Sequence, residues 1–412
     1  MSIPVLLDRT AGGADQTDAI TIKGDGIGTS ELRAGTGFPA GKSLIESNLA
    51  DGKYVQILSI SDASLRGGQN CLRINTASRT NIERVKVEAA TDSCIYVDNS
   101  WVNIYSGILS NLNGGSGIEF SSSKQKTSTL INGGYALKNS NDGWVFGFMN
   151  YSAAIATASD QNSFNGYHLK KCDCFMLVAP GCEGNGRAGA YIEASATIGP
   201  TQSTVIEAAF FHNNDQTNSG WANLAHLKST DGTKCVVVVK NSTADSSRVN
   251  GTADVYVDGV GAIAIVDNCV LPNGVNTVNG GYIDWVHHPL LVNGISYGAG
   301  SARTICLLRS TQGYANTYGG RITVHASNAD PSQKGRRTAT YELLVNKTSD
   351  GTIQIVEVAK AGETLGSTNN SPSFSWSVNS NNQLVGSTLT STIAGNFWFE
   401  ITTNGQVIAH KI

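Results

Sequence analysis

The stretch that decides the fold is "NCLRINTASRTNIERVKVEAA", Asn70 to Ala90, followed by "SCIYVDNSWVNIYSGILSNLN", Ser93 to Asn113. Each opens with Cys-aliphatic-x-aliphatic, passes a polar turn, then reads "NI" and a second apolar run. The opening motif continues as "GIEFS", "GWVFG", "GYHLK", "GAYIEA", "LAHLKS" and "DVYVDG". The inward residues Leu72, Ile95, Ile118, Trp144, Tyr167, Ala190, Ala225 and Val255 are spaced by 23, 23, 26, 23, 23, 35 and 30 positions. A repeat of that length means that each unit buries its neighbour's apolar face. Short strands with no helix to cross between them cannot form parallel pairs except by coiling rung upon rung, about 4.8 Å apart. The chain is therefore expected to be all-β, a right-handed parallel β-helix over residues 53–299. Many second strands end in Asn or Asp at a turn, where the side chain is expected to bond local backbone.

Composition agrees. Of 412 residues 40% are apolar and 15% charged, with 46 Gly and only 8 Pro, which favours many short strands over long helices. The formal net charge of −3 gives no reason to expect a nucleic-acid partner. No apolar run is long enough for a membrane insertion, and "MSIPVLLDRT" lacks the layout of a secretory signal. The eight cysteines lack paired spacing, so buried free thiols are expected, and "CDC" at 172–174 is too tight for a metal site.

Beyond the repeat the pattern changes. "TIQIVEV" and "FWFEITT" alternate as strands with one buried face do, so residues 300–412 are expected to form a C-terminal β-sandwich for trimerisation or carbohydrate binding. Residues 1–52 are expected to supply an N-terminal cap and a loop leading into the first rung. "GDGIGTS" at 24–30 reads as a turn, His287 and His288 as a junction, and "SQKGRRT" at 332–338 as a solvated loop.

Alternate side chains on the first strands must point outward. One outward column is Arg73, Tyr96, Glu119, Val145, His168, Tyr191, His226 and Tyr256. The next is Asn75, Asp98, Ser121, Gly147, Lys170, Glu193, Lys228 and Asp258. Aromatic rings beside carboxylates and cations suit a polysaccharide, whose C–H faces stack on rings while its hydroxyls exchange hydrogen bonds. For glycoside hydrolysis two carboxyl groups must flank the scissile bond. Asp98 and Glu119 are the expected catalytic pair, with Glu193 in reserve, one carboxyl being kept protonated by the charge of the other. Arg73, Tyr96, His168, Tyr191 and His226 are the expected substrate-binding residues. Elimination from a uronic acid is the alternative, with His168 or Tyr191 as base and Arg73, Lys170 or Lys228 neutralising the developing charge. A non-catalytic fibre that only adheres is a third.

The rung series "YVQILSISDASLRGGQNCLRINTASRTNIERVKVEAATDSCIYVDNSWVNIYSG" with the closing strands "GGRITVHASNADPSQKGRRTATYELLVNK" resembles the bacteriophage tailspikes that degrade bacterial capsular polysaccharide or lipopolysaccharide, within the pectate-lyase-like superfamily. The resemblance implies an endo-acting depolymerase and a homotrimer, placed on the virion tail through a phage tail or baseplate protein. It implies no metal and no organic cofactor. The first fifty or so residues are too few for the particle-binding domain with which such proteins usually begin.

Overall fold

A computed structural model describes residues 5–6, 16–47, 54–245, 253–285, 290–297, 301–310, 318–329, 336–347, 353–364, 374–380, 383–388, 395–405 and 407–410. His287 and His288 lie outside the described residues, as do residues 332–335 of the basic loop. The chain divides into two compact units, Met1–Asp284 and Trp285–Ile412.

Within the first unit, among the described residues, the strands of successive rungs pair in parallel, which makes it a β-helix. A sheet of eleven short strands runs from Val5–Leu6 through Leu72–Ile74, Ile95–Val97, Ile118–Phe120, Trp144–Gly147, Tyr167–Lys170, Ala190–Ala194 and Ala225–Ser229 to Val255–Asp258 and Val275–Val278. Their inward residues Leu72, Ile95, Ile118, Trp144, Tyr167, Ala190, Ala225 and Val255 are all buried. Longer strands such as Ser100–Asn111, Lys126–Leu137 and Met149–Asp160 stack in a second sheet of sixteen. The N-terminal segment joins both: Ile45–Ser47 pairs with Leu72–Ile74, and Gln16–Lys23 with Tyr54–Arg66. It contributes rungs of its own beyond the lead-in loop expected from sequence.

The long strands turn at residues of positive φ that recur at matching places in successive rungs. One column is Arg84, Gly107, Gly133, Ala156, Ala179 and Ala208; another is Ala89, Leu112, Lys138, Gln161, Gly184 and Asn213. A non-glycine residue there is disfavoured by about 1–2 kcal/mol. The turn persists because the backbone on either side is bonded to the rungs above and below. The second strand of the sequence reading is thus two short faces joined at a corner, and the rung has three sides.

The asparagines that close the rungs do more than bond local backbone. Asn113 donates to Asn139 Oδ1 (2.7 Å), Asn139 to Asn162 (2.8 Å), Asn162 to Asn185 (2.9 Å) and Asn185 to Asn214 (2.9 Å). All five are buried. Each amide satisfies the next, so a polar column runs through the interior without an orphaned group. Cys94 enters the same column, its thiol 2.7 Å from Asn113 Oδ1. All eight cysteines are free thiols; Cys174 is exposed and Cys269 half-buried, and the other six are buried as expected.

The second unit is antiparallel. Leu290–Tyr297, Gly395–Gly405, Tyr318–Ala329, Arg336–Lys347 and Ile353–Thr364 form one sheet. Phe374–Val378, Gln383–Thr388, Ala302–Ser310 and Val407–His410 form the other. Both sheets feed one core, with Ile322, Val324, Tyr341 and Phe399 from the first and Cys306, Leu308, Phe374 and Leu384 from the second. This is a β-sandwich. Because Leu290–Tyr297 pairs with Gly395–Gly405, it belongs to this unit, and the sandwich starts before residue 300.

Candidate active site

The short-strand sheet carries the outward column in unbroken register. Arg73 pairs with Tyr96, Tyr96 with Glu119, Glu119 with Val145, Val145 with His168, His168 with Tyr191, Tyr191 with His226, and His226 with Tyr256. Beside it Lys170 pairs with Glu193, Glu193 with Lys228, and Lys228 with Asp258. Parallel pairing without a register slip is what turns a sequence period into a row of side chains. Two members of the column are buried, Val145 at 3% and His226 at 7% accessible, and the other six are half-buried. Val145 is therefore covered by this chain itself and is not available as a contact for a second copy.

At the lower end, the Arg73 guanidinium lies 5.1 Å from the Tyr96 ring centre, and its Nε donates to Asn75 Oδ1 at 3.0 Å. Tyr96 pairs with Glu119 of the next rung and lies two residues before Asp98, and burial first, then the charge of these two carboxylates, raises its phenol pKa. Glu119 accepts a hydrogen bond from Ser93 Oγ at 2.6 Å. Asp98 accepts one from Ser121 Oγ at 2.8 Å and one from Ser123, with Lys124 Nζ at 3.5 Å. Burial works to raise the Asp98 pKa, but the hydroxyls of Ser123 and Ser121 and the charges of Lys124 and Lys126 outweigh it, so the carboxyl lies below its ordinary range. Asp98 is thus held ionised, so it is not the protonated member that the sequence reading required of the pair.

Lys126 was not legible as part of the site. It is fully buried, and its amine donates to the carbonyls of Ser121 and Lys124 and to Ser121 Oγ. Burial pulls its pKa down to about 7 against the opposing pull of Asp98. It ties down the loop whose serines hold Asp98.

The centre is built on His168. Its Nδ1 lies 2.9 Å from Asp142 Oδ2 and its Nε2 lies 2.9 Å from Glu193 Oε1. Asp142, 4% exposed, also accepts from the backbone and side-chain amides of Asn165 at 2.9 and 2.8 Å. Burial opposes a charged imidazole, but Asp142 and Glu193 together raise the His168 pKa above its ordinary value. Burial likewise opposes ionisation of both carboxyls, and the histidine charge and hydrogen bonds hold them below their ordinary values. Clamped between two carboxylates, His168 is a poor base near neutrality. Burial, and then the negative charge of Glu193, raise the Tyr191 phenol pKa, so Tyr191 stays a phenol.

Asp142 was missed because it lies in the turn before its strand. A signal did exist: Ser93 reaches Glu119 and Asp142 reaches His168, so the residue two positions ahead of a first strand supports the column residue of the next rung.

At the upper end, Tyr191, Trp221, His226 and Tyr256 form a run of rings. Trp221 is 5.2 Å from Tyr191 and 4.8 Å from His226, which is 4.7 Å from Tyr256. Trp221 comes from the second of two insertions behind the spacing of 35: the offset between rungs grows from 23 at Lys170–Glu193 to 29 at Asp173–Gln202, and to 35 only past His212. Buried Asp215 folds this loop by accepting from the amides of Ser219 (3.0 Å), Gly220 (3.3 Å) and Trp221 (3.3 Å). Arg187 packs over Trp221 and over Phe164. Burial pushes the His226 pKa down to about 4, so its imidazole is neutral. Beyond lies an open cleft of about 660 Å³ whose lining includes Lys228, Asp231, Asp258 and Asn279.

The structure thus sets Asp98 and Glu119 on adjacent rungs beside Tyr96, and gathers Glu193, His168 and Tyr191 into one cluster. Glu193 lies three rungs from Glu119, about 14 Å at the usual strand spacing, so it does not join the first pair. Among the described residues no group of three or more His, Cys, Asp or Glu side chains is placed to hold a metal ion.

Fold and site together define a parallel β-helix protein with a row of aromatic and titratable side chains along one sheet. No family profile matches the chain, and no curated protein sequence matches it. Among solved structures it is similar to the tailspike of Acinetobacter phage vB_ApiP_P1, at 15% identity over 96% of this chain and 81% of that one, with a TM-score of 0.33. The tailspike gp49 of Acinetobacter baumannii bacteriophage Fri1, described as a capsular polysaccharide depolymerase, matches at 9% identity over 96% and 81%, with a TM-score of 0.31. The A-module of the Azotobacter vinelandii mannuronan C-5 epimerase AlgE4 matches at 12% identity over 66% and 84%, with a TM-score of 0.42. At these scores the likenesses carry no argument, and the fold class rests on the strand register itself.

Proposed function

We propose that the chain is a depolymerase of the phage tailspike kind, which binds a bacterial surface polysaccharide along the short-strand sheet and cleaves it internally. The observation that carries this reading is the unbroken column from Arg73 to Tyr256, in which seven of eight consecutive rungs present a ring or a charged group. Hydrolysis is the preferred chemistry. Asp98, held ionised, serves as base, and Glu119 serves as acid. Their backbone positions, one rung and two residues apart, are separated by about 8 Å, close enough for both side chains to reach one glycosidic bond.

Elimination is the second reading: the ionised Glu193 carboxylate takes the proton α to the uronate carboxylate and the Tyr191 phenol protonates the leaving oxygen. Incubation with purified capsular polysaccharide separates the readings. New reducing ends without an unsaturated uronate support hydrolysis, and ultraviolet absorbance from that group supports elimination. Unchanged polymer after prolonged incubation leaves only a binding fibre and overturns the proposal.

Homotrimer formation and attachment to a phage tail belong to the same proposal. A surface suited to self-association lies on the long strands, where Ile104, Leu130, Ala153, Met176, Val205 and Val238 follow one another in register. Ile104 is 48% exposed and Leu130 and Met176 are each 39% exposed. A column of that kind loses apolar surface to water unless a partner covers it. Light scattering at three times the chain mass is the expected result.

A further inference from the structure

The third face of the helix carries a second row of side chains, unrelated to the column above. Here Leu109 pairs with Tyr135, Tyr135 with Ala158, Ala158 with Gly181, and Gly181 with Phe210. Two small residues therefore sit between two rings, one rung below and one rung above. Phe210 is 56% exposed. The neighbouring outward row sets Asp160 beside Glu183 and Glu183 beside His212. Tyr135 Oη donates to Asp160 Oδ2 at 2.9 Å, and the Glu183 amide donates to Asp160 Oδ1 at 3.0 Å. His212 Nδ1 is 2.9 Å from Asp245 Oδ2.

Gly181 is the observation that needs a reason beyond folding. Its φ is not in the left-handed region, and a Cβ built there would meet only the Ala158 methyl, at 3.9 Å. Neither backbone geometry nor crowding asks for glycine. A glycine within a strand weakens it, and one that the fold does not require marks a place where something else approaches the backbone. Burial, and then the charge of Glu183, raise the Asp160 pKa against the hydrogen bonds from Tyr135 and the Glu183 amide.

We propose that the trough over Ala158 and Gly181, walled by Tyr135 and Phe210 and edged by Asp160 and Glu183, is a second carbohydrate-binding site that takes an uncharged stretch of glycan. The rings offer faces for pyranose C–H groups, and the carboxyls accept hydroxyl hydrogen bonds. Glu183 and Asp245 repel an anionic sugar, in contrast to the short-strand sheet, where Arg73, Lys170 and Lys228 are available. The trough spans three rungs, about 14 Å, enough for a short run of sugar rings.

The test uses the full chain with maltohexaose and chitohexaose as neutral probes and a galacturonate hexamer as the anionic one, by calorimetry and ligand-observed magnetic resonance. One neutral probe is expected to bind. Gly181→Val, which fills the trough floor, and Phe210→Ala, which removes a wall, should each weaken this binding about ten-fold or more. The melting temperature and light-scattering mass of Gly181→Val should be unchanged, because a Cβ there meets only the Ala158 methyl, at 3.9 Å, and the position is half-buried in a strand that favours β-branched residues. Failure of both neutral probes to bind overturns the proposal. So does binding that Gly181→Val leaves intact, or a Gly181→Val variant whose oligomeric mass changes, since the row would then be an interface between chains. Cleavage of surface polysaccharide is assayed separately, so loss of either reading leaves the other standing.

Discussion

The β-helix and the sandwich bury comparable side chains by opposite means. In the sandwich, neighbouring strands run in opposite directions, and the core is a cluster in which Phe374 packs against Phe397 and Phe399 with ring centres 5.1 and 5.5 Å apart. In the helix all neighbours run the same way, so each position faces its own equivalent in the next rung. Rings, amides and charges then form columns, as with Asn139 on Asn162 and His168 between the neighbouring residues of its face. Parallel stacking imposes its own strain: among the described residues, every non-glycine position with positive φ lies in the first unit. The lesson is that only the repeating unit can extend a binding surface along a polymer, since only there does one outward position recur at every rung.

The strongest way to break this contrast is through activity. Asp98→Asn and Glu119→Gln should each slow polysaccharide cleavage by about 10²- to 10⁴-fold, measured as reducing ends. Trp376→Ala in the sandwich should leave the rate unchanged. An equal loss in Trp376→Ala would mean that the helix does not work alone.

Stability should separate the two modes of burial. Phe397→Ala should cost about 3–5 kcal/mol in the sandwich transition, as expected for a large ring lost from a core. Asn162→Ala should cost about 2–3 kcal/mol in the helix transition, because Asn139 loses its acceptor and Asn185 its donor. Denaturant midpoints read both. A loss under about 1 kcal/mol for Asn162→Ala would show that the amide column contributes little.

Trp221→Ala should weaken oligosaccharide binding by about ten-fold, a ring contact of roughly 1.4 kcal/mol, without altering the cleavage chemistry. The His168 clamp sharpens the contrast through pH. Its folded pKa is raised, so its contribution is full below the ordinary histidine pKa and fades as pH rises through the folded value. Asp142, with a depressed pKa, loses its share as pH falls through its own folded value. Helix stability should therefore decline on the alkaline side in the native protein, and His168→Gln should flatten that decline. The smallest effect is at a corner. Val102, β-branched and at φ 57, should be improved by Val102→Asn by about 0.5–1 kcal/mol, since Asn tolerates the left-handed region.

Much of this was legible in the residues. The recurrence of Leu72, Ile95 and Ile118 every 23 positions specified parallel stacking, and alternation within "CIYVD" and "GIEFS" then dictated which side chains share the outer face. The alternating strands near the C-terminus announced the sandwich core. What escaped the sequence came from places without periodicity. Asp142 sits in a turn, Trp221 in an inserted loop folded by Asp215, and Lys126 at a strand start whose amine turns inward. Which carboxyl of the pair is ionised was not legible, because the Ser121 and Ser123 hydroxyls and the Lys124 amine that hold Asp98 ionised against burial come from the next rung and its loop.

By itself the sequence determined the coil, its repeat and the order of residues along each column, because a period in apolar residues leaves one compact way to hide them. The tertiary structure alone decided which carboxyl is ionised, which histidine is clamped and which ring closes over the row. Those outcomes depend on distances between atoms far apart in the chain, and no local pattern encodes them.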